Sequence, residues 1–169
     1  NCHATPCPGV VAPAGKETKI QTGHVMGGSE PNVRAEYGTK NGQQAYESLG
    51  WMNGHTMIYQ IPKGVEVKAL KYRETGYNTE FTGTFMCNDD FLNRLREKAV
   101  RTLYVTMRDT YMDCPDRERS QWWGDEVNEL GEAFYTTDLR GHQLAYKGIL
   151  ELIAWQRYDG VIFSPCPSG

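Results

Sequence analysis

Helical periodicity is confined to the second half of this chain, and that contrast limits the folds it can adopt. Twelve of the eighteen glycines precede residue 87, whereas three of the four tryptophans follow it. Beyond residue 87 an apolar residue recurs at every fourth position: Phe91, Leu95, Ala99, Leu103 and Met107. This spacing is typical of one face of an amphipathic helix. The sequence therefore predicts a mixed fold, with a β-rich region over residues 1–86 and a helical region over residues 87–169.

Three helices are predicted in the second region. Residues 88–90 begin the first, because Asn and Asp side chains accept hydrogen bonds from the free N–H groups of a first helical turn. The second runs from about residue 123 to 135, with one stripe predicted to be buried: Trp123, Val127, Leu130 and Phe134. Thr137 or Asp138 caps the third, which ends before a turn at residues 158–160. The short connectors favour antiparallel hairpins.

The first region predicts strands only in its later part. Residues 1–50 are rich in Gly, Pro, Asn and Ser with weak periodicity, which predicts loops and at most short strands. Apolar residues then alternate over residues 57–61 and again over 65–69, with a turn between them, and EFTGTF at residues 80–85 predicts a further strand. We interpret these strands as part of an antiparallel sheet at the edge of a β-sandwich.

The composition excludes two classes of partner. Apolar residues make up 39% of the chain and charged residues 23%, which is typical of a folded domain rather than of a disordered chain or a membrane span. The net charge is -3 and no cluster of Lys and Arg stands out. Because nucleic-acid binding requires a basic face, we expect neither a nucleic-acid nor a membrane partner.

The cysteines and histidines do not predict a metal centre. Neither residue type recurs at the spacing that metal sites use, so no metal and no organic cofactor is predicted. With five cysteines, at least one thiol must be free. Cys2 and Cys7 could pair only in an oxidising compartment, and the prolines around them predict a loop. Cys87, Cys114 and His142 are interpreted as structural.

A dense polar segment lies between the first two predicted helices. Residues 113–126 read DCPDRERSQWWGDE, with carboxylates, two arginines and two adjacent tryptophans. Pro115 prevents a helix from continuing through Asp113. If the chain is helical from Glu118 onward, Glu118 and Asp125 lie on one face about 10 Å apart along the axis. Asp113 can fold back toward Glu118, and crowding of like charges favours one protonated carboxyl group.

Two interpretations of this segment remain open on composition alone. Cleavage of a glycosidic bond uses a protonated carboxyl group beside ionised ones, and Trp122 and Trp123 offer flat apolar faces to a sugar. However, charged residues at a helix start usually form a solvated face, which Arg117 and Arg119 would neutralise. Tryptophans are also more often core anchors than sugar platforms, and Trp123 fits the stripe of the second helix that is predicted to be buried.

The order of the residues carries more information than the composition. Several short motifs follow one another: Asp113-Cys114-Pro115, Arg117-Glu118-Arg119, Trp122 and Gly124-Asp125. This order resembles the signature of bacterial α-L-rhamnosidases, which are inverting glycoside hydrolases built on an (α/α)6 barrel. The resemblance extends over about residues 55–169. It implies that the chain contains the end of a β-sandwich followed by the first helical hairpins of the barrel.

The resemblance also implies roles for individual residues. Glu118 would be the catalytic proton donor, and Asp113 and Asp125 would bind rhamnose hydroxyl groups. Trp122 would shape the sugar subsite, and Arg117 would bind or orient a neighbouring carboxylate. Trp123, where the family commonly has a small residue, is predicted to bind the substrate beside Trp122. In the family the general base lies later in the barrel, so three helices would be a piece of a larger enzyme acting on terminal α-L-rhamnosyl bonds.

Other functions and the location remain open at this level. A non-catalytic carbohydrate-binding or structural module and a six-hairpin glycosidase for another sugar are the alternatives. The expected partners are a carbohydrate substrate and the rest of the parent polypeptide. A periplasmic or extracellular location is favoured over the cytoplasm, because it suits the degradation of oligosaccharides.

Overall fold

The computed structural model describes residues 2–23, 33–115 and 117–166 of the chain. It divides into two compact units, Asn1–Thr75 and Gly76–Gly169. Within the described residues, the first unit consists of strands and loops, and the second contains three helices and two short strands. The predicted order of strands followed by helices is therefore confirmed.

Seven strands form two antiparallel sheets in the described part of the first unit. They are β1 (Cys2–Ala12), β2 (Glu17–Thr22), β3 (Val33–Gly38), β4 (Gly42–Ala45), β5 (Met52–Gly54), β6 (Met57–Gln60) and β7 (Glu66–Glu74). In one sheet β1 pairs with β4, β5 and β7, and in the other β2 lies between β3 and β6. The two strands predicted over residues 57–61 and 65–69 are confirmed as β6 and β7.

The prediction of loops and at most short strands for residues 1–50 is wrong, because β1 to β4 cover much of this region. Burial alternates along residues 6–12, so Pro6 and Pro8 face the interior of the unit. The Pro6 carbonyl accepts a hydrogen bond from Ser48 N at 3.3 Å. Prolines disfavour a strand locally, but pairing with distant segments holds them in one here.

Cys2 and Cys7 both lie in β1, so the loop predicted around them is also wrong. Five residues of extended strand place their Cα atoms about 16 Å apart, which is beyond the reach of a disulfide. The Cys7 thiol is free and donates a hydrogen bond to Thr5 O at 3.4 Å.

The three predicted helices are confirmed in the second unit. They are α1 (Asp90–Thr106), α2 (Trp123–Thr136) and α3 (Leu139–Ala154), with two short strands, β8 (Gln121–Trp122) and β9 (Pro165–Cys166). The Asp89 side chain caps α1 by accepting from Phe91 N, and the Asp138 side chain caps α3 by accepting from Arg140 N. None of the described helices has the length and apolar character needed to span a membrane.

The core of the second unit uses only part of each predicted stripe. It gathers six buried side chains: Leu103, Met107, Tyr111, Ala133, Leu144 and Ala145. Phe91, at the start of the α1 stripe, is 64% exposed. On α2, Val127 and Phe134 are exposed, whereas Glu126 and Ala133 are buried. The prediction that Val127 and Phe134 are buried is therefore wrong, because α2 turns a neighbouring face toward the core.

Residues 80–85 do not form the predicted strand. Their backbone groups bond to the end of α2 and the start of α3 instead: Gly83 N donates to Thr136 O at 3.1 Å, and Asp138 N donates to Glu80 O at 2.9 Å. This segment therefore belongs to the helical unit, which begins at Gly76. The domain boundary predicted after residue 86 remains a prediction.

Candidate functional site

The connector between α1 and α2 is anchored in the core before it reaches the polar segment. Met112 N donates to Thr106 O at 2.9 Å, which folds the chain back against the end of α1. Tyr111 is fully buried, and its hydroxyl donates to Gly141 O at 3.1 Å. The polar segment that follows therefore starts from a fixed point on the helical unit.

Two hydrogen bonds close a loop at residues 113–120. Asp113 N donates to Ser120 O at 3.0 Å, and Ser120 N donates to Asp113 Oδ1 at 3.0 Å. Within this loop Arg119 has φ 55°, and it is the one described non-glycine residue with a positive φ. Such a conformation is unfavourable for a residue with a side chain and is frequent at functional sites.

The closed loop brings three side chains together. A carboxylate oxygen of Asp113, the thiol of Cys114 and a carboxylate oxygen of Glu118 all lie within 4.8 Å of one another. Cys114 Sγ donates to Glu118 Oε2 at 3.1 Å, and Arg117 forms an ion pair with Glu118 Oε1. The Glu118 side chain is 25% exposed and is therefore partly accessible to solvent. The predicted return of Asp113 toward Glu118 is confirmed.

Glu118 does not lie on a helix, so the condition under which Glu118 and Asp125 would share a helix face is not met. The helix begins only at Trp123, because β8 is extended and pairs with β9 immediately before it. Asp125 lies in the first turn of α2 and is exposed. Among the hydrogen bonds and ion pairs of the described residues, none joins Asp125 to Asp113 or Glu118.

The two tryptophans have different surroundings. Trp122 lies opposite Pro165 in the β8–β9 pair and is 37% exposed. Trp123 is half-buried, and its backbone N–H donates to Ser164 O at 3.0 Å. Trp122 is therefore partly exposed beside the loop, while the backbone of Trp123 joins the loop to residues 164–166.

Among the described residues, one group of possible metal ligands is compact enough to contact a single ion, and it consists of Asp113, Cys114 and Glu118. Their atoms already have partners, since Glu118 accepts from Cys114 and Arg117, and Asp113 accepts from Ser120 N. The absence of a metal from the site remains a prediction.

Comparison with known proteins identifies the family. The model of the bacterial alpha-L-rhamnosidase 6 hairpin glycosidase domain matches residues 80–169, which include the whole closed loop. The chain belongs to this family. The family predicted from the order of residues, and with it the class of glycosidases, is therefore confirmed.

The chain is also similar in sequence to a rhamnosidase and in fold to two solved structures. An alpha-L-rhamnosidase of Formosa agariphila is 28% identical over 103 residues, which are 59% of this chain and 11% of that protein. The structure of a GH78 family rhamnosidase of Bacillus sp. GL1 matches with a TM-score of 0.81 and 20% identity, over 98% of this chain and 18% of that one. An alpha-L-rhamnosidase from Dictyoglumus thermophilum matches with a TM-score of 0.74 and 18% identity, over 97% of this chain and 20% of that one. The chain thus spans one fifth or less of each relative.

Sequence reasoning missed the buried polar groups behind the loop of this rhamnosidase domain. Gln121 is 1% exposed; its amide donates to Gly148 O at 3.2 Å and accepts from the Thr110 hydroxyl. This links β8, the connector and α3, and so fixes the end of the loop that carries Glu118. A glutamine beside a tryptophan gives no local signal of such burial.

Two glutamates on α2 were also missed. Glu126 is fully buried, and burial raises the pKa of its carboxyl group to about 7, with the Glu151 carboxylate adding to the rise and Lys147 opposing it. Burial likewise raises the pKa of Glu129 to about 8, although a hydrogen bond from Thr106 lowers it. The signal available in the sequence was their spacing of three residues, which places both carboxyl groups on the same face of a helix.

Proposed function

We propose that the protein containing this chain hydrolyses terminal α-L-rhamnosyl bonds with inversion, and that Glu118 is the general acid. The observation that carries the proposal is the closed loop, which holds a partly exposed Glu118 within 4.8 Å of Asp113 and Cys114. The family match spans this loop and supports the reaction class. Hydrolysis of a glycoside requires such a carboxyl group beside the leaving oxygen.

In the proposed reaction, Glu118 transfers its proton to the glycosidic oxygen as the bond to the anomeric carbon breaks. A water molecule attacks the opposite face of the ring, and a general base takes its proton. The products are the free alcohol and rhamnose of inverted configuration. Arg117 then stabilises the carboxylate left on Glu118, although its side chain is 67% exposed and water screens the attraction.

Asp113, Asp125, Arg117 and the tryptophans are proposed to bind the substrate. One Asp113 oxygen accepts from Ser120 N, which leaves the other for a sugar hydroxyl. The exposed part of the Trp122 ring can stack on the C–H surface of a sugar ring. Trp123 would shape the same subsite from its half-buried position, and Asp125 would contribute a hydroxyl contact from the start of α2.

The general base is proposed to come from another part of a longer polypeptide that completes an (α/α)6 barrel after a β-sandwich. Three helices cannot supply six hairpins. The exposed apolar side chains of the helices support this, since Phe91 is 64% and Phe134 is 67% exposed. Faces of this kind usually pack against further structure. We also propose a periplasmic or extracellular location, which suits the degradation of oligosaccharides.

Glu118→Gln in the longest natural polypeptide that contains this chain tests the proposal. We expect kcat on an alkyl or methoxyphenyl α-L-rhamnoside to fall about 10²- to 10⁴-fold, because the leaving group is no longer protonated. With a dinitrophenyl leaving group, which departs without a proton, the loss should be much smaller. Glu132→Gln, an exposed change of the same kind on α2, is the matched control.

Three results would each contradict a part of the proposal. Near-normal hydrolysis of the alkyl rhamnoside by the Glu118→Gln protein would remove Glu118 as the acid. Proton NMR of the first-formed sugar offers a separate check, because a retained anomeric configuration is incompatible with single-step inversion. Activity on another glycoside in place of the rhamnoside would move the assignment to a different sugar.

A further inference from the structure

We propose that Cys114 is a positioning residue that holds the carboxyl group of Glu118 through its thiol. The inference rests on the proposed role of Glu118 as general acid and adds the partner that orients it. No covalent step on sulfur is involved, and the thiol is the same before and after each turnover.

The contact is specific to this thiol. Cys114 Sγ donates to Glu118 Oε2 at 3.1 Å, whereas Cys7 and Cys87 donate to backbone carbonyls at 3.4 and 3.5 Å. Among the described thiols, Cys114 is the one that donates to a carboxylate. Cys114 is also free of any disulfide, so the S–H group remains available.

The loop fixes the thiol in place. Cys114 follows Asp113, whose backbone N–H and side chain both bond to Ser120, and it precedes Pro115, whose ring restricts the backbone before it. Cys114 is half-buried. The thiol therefore has a defined position from which it can restrict the rotation of the Glu118 side chain.

The chemistry of a thiol suits a carboxyl group that changes its protonation state in every cycle. A thiol is a weak donor and a weak acceptor, whereas the Arg117 guanidinium can only donate. When Glu118 is ionised, the S–H group donates to Oε2. When Oε1 carries the proton for the leaving oxygen, the S–H group can still donate to Oε2. The contact therefore persists in both states, and it adds no second positive charge that would hold Glu118 permanently ionised.

Three variants of the longest natural polypeptide test this role. Cys114→Val keeps the approximate volume but removes the hydrogen bond, Cys114→Ser keeps a group that both donates and accepts, and Cys87→Val is the matched control at a thiol outside the loop. For Cys114→Val we expect kcat on an alkyl α-L-rhamnoside to fall about tenfold with little change in KM. The serine variant should recover most of this loss, and the control should match the natural protein.

Two further readouts separate positioning from a general structural effect. The defect of Cys114→Val should largely disappear with a dinitrophenyl rhamnoside, because that substrate needs no proton. The alkaline limb of its pH–rate profile should move to higher pH, because the ionised carboxyl group has lost a donor.

Several outcomes would overturn the inference. It fails if Cys114→Val retains full kcat, if the serine variant is as impaired as the valine variant, or if both substrates lose activity equally. Loss of activity in Glu118→Gln together with normal activity in Cys114→Val would remove the positioning role and leave the proposed function intact. Normal activity in Glu118→Gln would instead remove the proposed function itself.

Discussion

The buried carboxyl group of Glu126 makes the stability of the helical unit depend on pH. The side chain is 0% exposed, and neither oxygen has a hydrogen-bond partner among the described residues. Its pKa rises from 4.5 to about 7 on folding, first because of burial and second because of the Glu151 carboxylate. The free energy of unfolding is therefore highest below pH 4.5, where the carboxyl group is neutral, and this contribution is lost as the pH rises through about 7.

The magnitude follows from the two pKa values. The difference between 4.5 and about 7, at about 1.4 kcal/mol per pKa unit, amounts to a loss of up to about 3 kcal/mol at alkaline pH. Glu126→Gln cannot ionise, so it should be more stable than the natural protein by up to this amount near pH 8. Near pH 4.5 the two should differ only by the cost of an amide in place of a carboxyl group. The cost of the amide is the same at both pH values, so it cancels when the stability difference at pH 4.5 is subtracted from the difference at pH 8.

Hydrogen exchange measured by mass spectrometry is a suitable assay, because it reports the local opening of α2 and α3 in a polypeptide of any length. At about pH 8 the protection factors of these helices should rise up to about a hundredfold in Glu126→Gln, and near pH 4.5 the gain should largely vanish. Glu132→Gln, an exposed change on the same helix, should leave exchange unchanged at both pH values. A stability difference between Glu126→Gln and the natural protein that is the same at both pH values would refute the reasoning.

Two further predictions concern stability. Gly148→Ala places a Cβ against Glu126 Oε1 inside the core, so we expect the free energy of unfolding in chemical denaturation to fall by about 1–3 kcal/mol. Gly131→Ala, at a helical site with open space, should be neutral or stabilising. Equal effects at the two sites would contradict the packing. Asp138→Ala removes the cap of α3 together with the hydrogen bonds from Arg140 and Thr79, which hold the pKa of Asp138 below its ordinary value. The melting temperature should therefore fall by about 5 °C at neutral pH. That loss should narrow as the pH falls below the ordinary aspartate pKa, and a difference independent of pH would argue against it.

The helices could be predicted from the sequence because their determinants are local. Asp89 and Asp138 lie immediately before α1 and α3 and cap the first turns of these helices. The apolar spacing of α1 is a property of that helix alone. The early strands could not be predicted in the same way, since β1 depends on partners many residues away. Pro6 and Pro8 indicate a loop when only near neighbours are considered.

The candidate site likewise has a part set by local sequence and a part set by distant segments. The return of Asp113 toward Glu118 follows from Pro115 and from a short loop, so the sequence predicts it correctly. The position of Glu118 outside α2 depends on the pairing of β8 with β9, a segment more than forty residues later. The burial of Glu126 likewise depends on Gly148 of α3, which lacks a side chain where the carboxyl group lies.

The pairing of β8 with β9 also has a consequence for engineering. Because Trp122 lies opposite Pro165 and Trp123 N bonds to Ser164 O, the loop that carries Glu118 shares its support with residues 164–166. Transplanting residues 113–126 into a related scaffold would separate the loop from that support. The smallest exchangeable module is therefore discontinuous, and chimaeras that move both segments together should preserve the loop better than those that move either one alone.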